Sequence, residues 1–142
     1  MDFKTIHIGS LILKCVKESS IDISRICNFM DQTEDEISKM YTEESLHTIV
    51  LLRWSKLLEY DFFRFYTQHL ILYAPPASVG YSKIVVNKST QMPQFRKNIY
   101  TIEIIDFILE QIKTGEKSKL EIIEQYKIPK TTLYKWISKF GS

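Results

Sequence analysis

Along most of this chain apolar residues recur every three or four positions, the spacing that stacks side chains on one face of an α-helix. The pattern predicts a first helix through Ile8, Leu11, Ile12, Cys15 and Val16, and a second, capped by Asp22, through Ile23, Ile26 and Cys27. Thr33 and Glu36 have capping-box spacing and open a third through Ile37, Met40 and Tyr41. Ser45 is placed to cap a fourth, carrying Leu46, Ile49, Val50, Trp54, Leu57 and Leu58, whose apolar surface suits the centre of a small domain.

The segment Asp61 to Leu72 is dense in large apolar residues, among them Phe62, Phe63, Phe65, Tyr66, Leu70, Ile71 and Leu72. Two readings stay open for it, completion of the core or a surface for a partner. The helical period then lapses between Tyr73 and Gln94, where Pro75, Pro76, Gly80 and Pro93 stand. Tyr81, Ile84, Val85 and Val86 suit one short strand, which has no partner strand in this chain.

Beyond that stretch the period returns. Ile104, Ile105, Ile108, Leu109 and Ile112 mark a helix closed by Thr114 and Gly115. Ser118 and Glu121 form a second capping box, followed by Leu120, Ile122, Ile123 and Tyr126 as the apolar side of a short helix. Pro129 forces a turn, because proline starts helices but keeps the preceding residue out of one. The last helix repeats Leu133, Trp136, Ile137 and Phe140 on one face and leaves Lys130, Thr131, Tyr134, Lys135, Ser138 and Lys139 on the others. The predicted fold is all-α: two small helix-turn-helix-type helical domains, residues 1–72 and 96–142, joined by a Pro-containing basic linker, residues 73–95.

Charge separates the two halves. The chain of 142 residues has a net charge of +2, but its acidic residues crowd the front and its basic residues the back. Attraction to phosphate is therefore expected from the back half. There the last helix can enter a major groove, with Lys130 and Thr131 as candidates for base edges and Lys135 behind them. Thr132, Tyr134, Lys139 and Lys119 are candidates for phosphate contacts that set register. Trp136 is expected to anchor the packing. Lys83, Lys88, Arg96 and Lys97 follow one another with no acid between them, which suits either a basic arm along phosphate or minor groove or a solvated linker.

Residues 96–140 resemble the helix-turn-helix at the N-terminus of insertion-sequence-type transposase subunits. There a Tyr-Gly-Ile-Ser-like turn precedes Thr-Leu-Tyr-Lys-Trp. The matching residues are Tyr126, Lys127, Ile128 and Pro129, then Thr132, Leu133, Tyr134, Lys135 and Trp136. Lys127 stands where that family favours glycine, Pro129 where it favours a serine cap, and Ile123 where it favours alanine. The resemblance implies a small bacterial transposase-like protein that recognises double-stranded DNA.

The front domain resembles the Cro and phage-repressor helix-turn-helix. The shared points are Ile8 and Gly9, the helix from Asp22 to Cys27, the would-be recognition helix from Thr33 to Met40, and the leucine-rich helix from Leu46 to Tyr60. That recognition helix opens with Glu34, Asp35 and Glu36, which repel phosphate. Self-association or contact with a protein partner is the expected role of this domain.

Catalysis is not expected. A transposase catalytic core needs carboxylates on a ribonuclease-H-like α/β scaffold, and no Gly-rich phosphate loop or nucleophile elbow is present. His7, His47 and His69 lack ligand spacing, so no metal or other cofactor is expected, and no small-molecule substrate is evident. Cys15 and Cys27 read as buried free thiols. No apolar run is long enough to span a membrane and the N-terminus has no secretory pattern, so the expected compartment is the cytoplasm. The functional expectation is a DNA-binding transposase-like recognition protein or transcription regulator, acting as a homodimer. The alternative is a protein-interaction adaptor using the acidic N-terminal domain.

Overall fold

The computed structural model describes residues 3–74, 93 and 100–141. Among them the protein is all-α, with eight helices and no strand. The chain divides into two compact units, Asp2–Tyr66 and Thr67–Ser142.

In the first unit α1 is Ile8–Ser19, α2 Ile23–Met30, α3 Glu34–Thr42 and α4 Thr48–Leu57, followed by the start of α5, Phe63–Tyr73. The start signals work as their chemistry requires. The Asp22 carboxylate accepts from the Ser24 N–H, and Thr33 and Glu36 close a reciprocal capping box. α1 opens on a cap absent from the sequence reading, the His7 ring nitrogen Nδ1 accepting from the Ser10 N–H at 3.2 Å. The Ser45 cap is not formed. α4 begins three residues later with His47 at its cap position and no side-chain bond there, so Leu46 lies before the helix. Ile49, read as core, is 73% exposed. Trp54 is buried as read, and Leu51, not among the residues named for this face, is buried with it.

The core of this unit joins Ile8, Ile12, Ile26, Met30, Ile37, Leu51, Trp54, Phe62 and Phe65. Phe62 and Phe65 are thus absorbed into packing, as the first of the two readings of the aromatic segment required. Trp54 is fully buried with its ring 5.9 Å from Tyr41, and its indole N–H has no acceptor among the described residues. Such an unmet donor costs about 1–3 kcal/mol, a cost that burial of so large a ring offsets. Cys15 and Cys27 are free but only half-buried, at the margin of the core rather than within it. Burial pushes the Cys15 thiol up, away from its reactive form.

α1 and α3 pack most closely at Gly9. The N–H groups of Ile8 and Gly9 donate to the Glu44 and Glu43 carbonyls at 3.0 and 3.1 Å. A Cβ on Gly9 would stand 2.7 Å from the carbonyl oxygens of Tyr41 and Glu43 and closer still to that of Met40. No side chain fits against backbone at that distance.

The second unit contains the end of α5 and three further helices, α6 Ile102–Lys113, α7 Lys119–Tyr126 and α8 Lys130–Phe140. The sequence reading drew residues 1–72 as one domain; by contacts α5 is divided between Tyr66 and Thr67. Two side-chain bonds fix this unit: Gln68 Nε2 donates to Thr101 Oγ1 at 2.7 Å, and Tyr126 Oη donates to Gln111 Oε1 at 3.1 Å. Both glutamines are buried, so each bond also satisfies a polar group that water cannot reach. The strand suggested at Tyr81, Ile84, Val85 and Val86, the Pro75-Pro76 break, and the arm residues Lys83, Lys88, Arg96 and Lys97 lie outside the described residues. Gly9→Ala is expected to destabilise the protein by about 2 kcal/mol, because the neighbouring backbone oxygens cannot withdraw. A lowered urea midpoint at unchanged slope is the measurement that checks it.

Candidate nucleic-acid interface

The candidate interface lies on α6, α7 and α8. α6 carries Ile104, Ile105, Ile108 and Leu109 into the interior and ends where predicted, with Thr114 at the cap and Gly115 at φ +73°. α7 starts on the capping box: the Ser118 N–H donates to Glu121 Oε2 at 2.7 Å, and the Glu121 N–H to Ser118 Oγ at 3.3 Å. These bonds, that from the Ser118 backbone first, hold the Glu121 carboxyl below the usual glutamate range. Only eight residues long, α7 buries Ile122 and Tyr126. Leu120, assigned above to its apolar side, is 69% exposed, because the first turn beyond the cap leads away from the interior.

The turn follows from one backbone angle. Lys127 adopts the left-handed conformation, φ 55° and ψ 32°, which reverses the chain so that Ile128 is buried one residue later. A Cβ is strained in that conformation, which glycine adopts freely. Pro129 then occupies the cap position of α8 with no side-chain bond, and its carbonyl accepts from Thr132 and Leu133 at 2.9 and 3.1 Å.

α8 packs on both α6 and α7. Leu133 and Trp136 are buried, and Tyr100 meets the Trp136 ring edge-on at 4.9 Å between centroids. Trp136 is therefore the packing anchor expected of it. Phe140, which shares their spacing, is 41% exposed because it lies in the last turn. The opposite side is free: Lys130, Thr131, Tyr134, Lys135 and Lys139 are exposed, while Thr132 is half-buried. Lys119 from α7 joins this group, its Nζ 5.5 Å from the centre of the Tyr134 ring. The structure thus brings together the seven helix candidates, Lys119, Lys130, Thr131, Thr132, Tyr134, Lys135 and Lys139, on two adjoining helices. Arg96 and Lys97 are not among the described residues. Lys127, exposed in the turn, is a further cation beside these helices that was not among the candidates. Among the described residues no carboxylate makes a salt bridge to Lys119, Lys130, Lys135 or Lys139.

The first unit repeats this backbone with opposite charge. α2 also has eight residues, its cap residue Asp31 is also left-handed at φ 55° and ψ 48°, and three residues again separate it from the next helix. There the exposed first turn of α3 holds Glu34, Asp35 and Glu36, and none of these favours a phosphate surface. No family model, curated protein or solved structure matches the chain. Among the described residues no helix is long and apolar enough to cross a membrane, and no group of acidic, histidine or cysteine side chains is placed to hold a metal ion.

Lys127→Gly is expected to stabilise the protein by up to about 1 kcal/mol by relieving the left-handed strain, and a raised Tm checks it; an unchanged or lowered Tm would contradict the strain argument. Acid should loosen the two capping boxes. Hydrogen bonds from Thr33 and Ser118 hold the Glu36 and Glu121 carboxyls below the usual glutamate range, so the folded state takes up their protons at lower pH than the unfolded state. Their stabilisation is fully present above the ordinary glutamate range and is lost as pH falls through the lowered one. The double variant E36Q/E121Q should show a shallower loss of stability between about pH 5 and 3 than the parent.

Proposed function

We propose that this protein binds double-stranded DNA through α8 and serves as a transposase-like recognition protein or a transcription regulator. The observation that carries the reading is the two-sidedness of α8: one side is fixed in the core by Leu133 and Trp136, the other presents Lys130, Lys135 and Lys139 with no acid on the helix. A helix held this way off a short first helix is the arrangement that enters a major groove.

In this reading Thr131 and Lys135, one turn apart, face base edges, where a lysine ammonium suits the O6 and N7 acceptors of guanine and a threonine methyl suits thymine. Lys139 and Thr132 contact phosphates, and Lys119 and Lys130 add attraction at the helix starts. A helix pair this small makes few contacts, so two copies on half-sites one helical turn apart complete the proposal. The acidic first unit then supplies contacts to protein rather than DNA. A second reading, a protein-interaction adaptor, draws on the same unit: Phe29, Ile49 and Leu52 are exposed on the packed helices α2 and α4.

Fluorescence anisotropy of the full chain on randomised duplex DNA, across a salt series and followed by selection, tests the proposal. Binding whose logarithm falls linearly with the logarithm of salt, with an enriched motif, is the expected result. Thr131→Ala and Lys135→Ala should relax discrimination at individual positions by about 1–3 kcal/mol, whereas Lys139→Ala should weaken all sequences alike. Flat anisotropy at low salt would move the weight to the adaptor.

A further inference from the structure

The ring of Tyr134 does something that packing does not require. It is 46% exposed, yet the Lys119 ammonium stands 5.5 Å from its centre and the Lys130 ammonium 5.7 Å. Lys119 is the first residue of α7 and Lys130 the first of α8. One ring therefore gathers a cation from each helix, and the two can be no more than about 11 Å apart. The quadrupole of an aromatic face attracts each ammonium, but the two ammoniums repel one another. Among the described residues neither makes a salt bridge to a carboxylate. Two strongly hydrated point charges held on one ring, no more than about 11 Å apart, can both reach phosphates of a single strand.

We propose that Lys119, Tyr134 and Lys130 form a phosphodiester clamp for duplex DNA, in which Tyr134 is a positioning residue and the two lysines are the contacts. The inference rests on the DNA-binding reading of α8 and deepens it. Lys130 grips the backbone rather than a base, and the clamp fixes how α8 enters the groove because it ties the starts of both helices to the same strand.

The experiment compares Tyr134→Phe, Tyr134→Leu, K119A/K130A and the triple variant K119A/K130A/Y134L in the full chain. First, without DNA, the ring current of Tyr134 should displace the side-chain methylene NMR signals of Lys119 and Lys130 upfield. Tyr134→Phe should keep that displacement and Tyr134→Leu abolish it; signals at ordinary positions in the parent would overturn the clamp whether or not DNA binds. Second, with a randomised duplex, the slope of log K against log salt should fall by about 2 in K119A/K130A, at roughly 0.9 per phosphate contact. Tyr134→Leu should lose a comparable part of the slope although both charges remain, Tyr134→Phe should keep it, and the triple variant should lose no more than the double. A parental slope in Tyr134→Leu would overturn the positioning role while leaving DNA binding intact, and a parent that does not bind duplex DNA overturns the proposed function and this clamp together. Because Tyr134 is exposed, the leucine variant is expected to keep the parental near-UV circular dichroism, and Tyr134→Phe controls for the hydroxyl alone.

Discussion

The second unit depends on burying two helices too short to be stable alone. Isolated helices of fewer than about 12 residues are marginal in water, and α7 and α8 have eight and eleven. Their stability comes from Ile122, Tyr126, Ile128, Leu133 and Trp136, all withdrawn from solvent. That burial is reached only if the chain reverses within three residues. The left-handed Lys127 and the cap-position Pro129 accomplish the reversal, and the price is backbone strain at the former. Everything on the outer side of α8 follows, because once Leu133 and Trp136 are committed inward, helical geometry sends Lys130, Thr131, Tyr134 and Lys135 outward.

The same backbone solution occurs twice. Asp31 and Lys127 share a conformation, and each joins an eight-residue helix to the next through three residues. The difference lies in what the solved geometry displays. After Asp31 the exposed turn is acidic and closed by a capping box; after Lys127 it is basic and begins at a proline that leaves the first amides of α8 without a side-chain acceptor. A shared scaffold with opposed surfaces is how one fold supports unlike partners, and it locates function in side chains rather than in architecture.

Much of the fold was legible in the sequence because its signals are local. The capping boxes at Thr33 and Ser118, the Asp22 cap, the end of α6 at Gly115 and the inward placement of Leu133 and Trp136 each depend on residues within four positions of one another, and all formed. The failures were local signals with competitors. Ser45 has the side chain of a cap, but the segment after Thr42 is spent on backbone bonds from Ile8 and Gly9 to Glu44 and Glu43, and α4 starts later. Leu120 and Ile49 are apolar residues in first turns, where periodicity alone does not say which side will be covered. The His7 cap was missed because histidine is an uncommon acceptor at that position.

By itself the sequence determined the all-α class, the order of the helices, and the cations on the last of them, since helical period and capping act over single turns. The tertiary structure alone decided what lies side by side. Nothing within a few residues of Gly9 foretells that the carbonyls of Met40, Tyr41 and Glu43 leave no room for a side chain there. Likewise no spacing rule places Lys119 on the ring of Tyr134, fifteen positions away, beside Lys130. Contacts of that kind arise from the crossing of helices, which is set by how their buried faces interlock and not by any one of them.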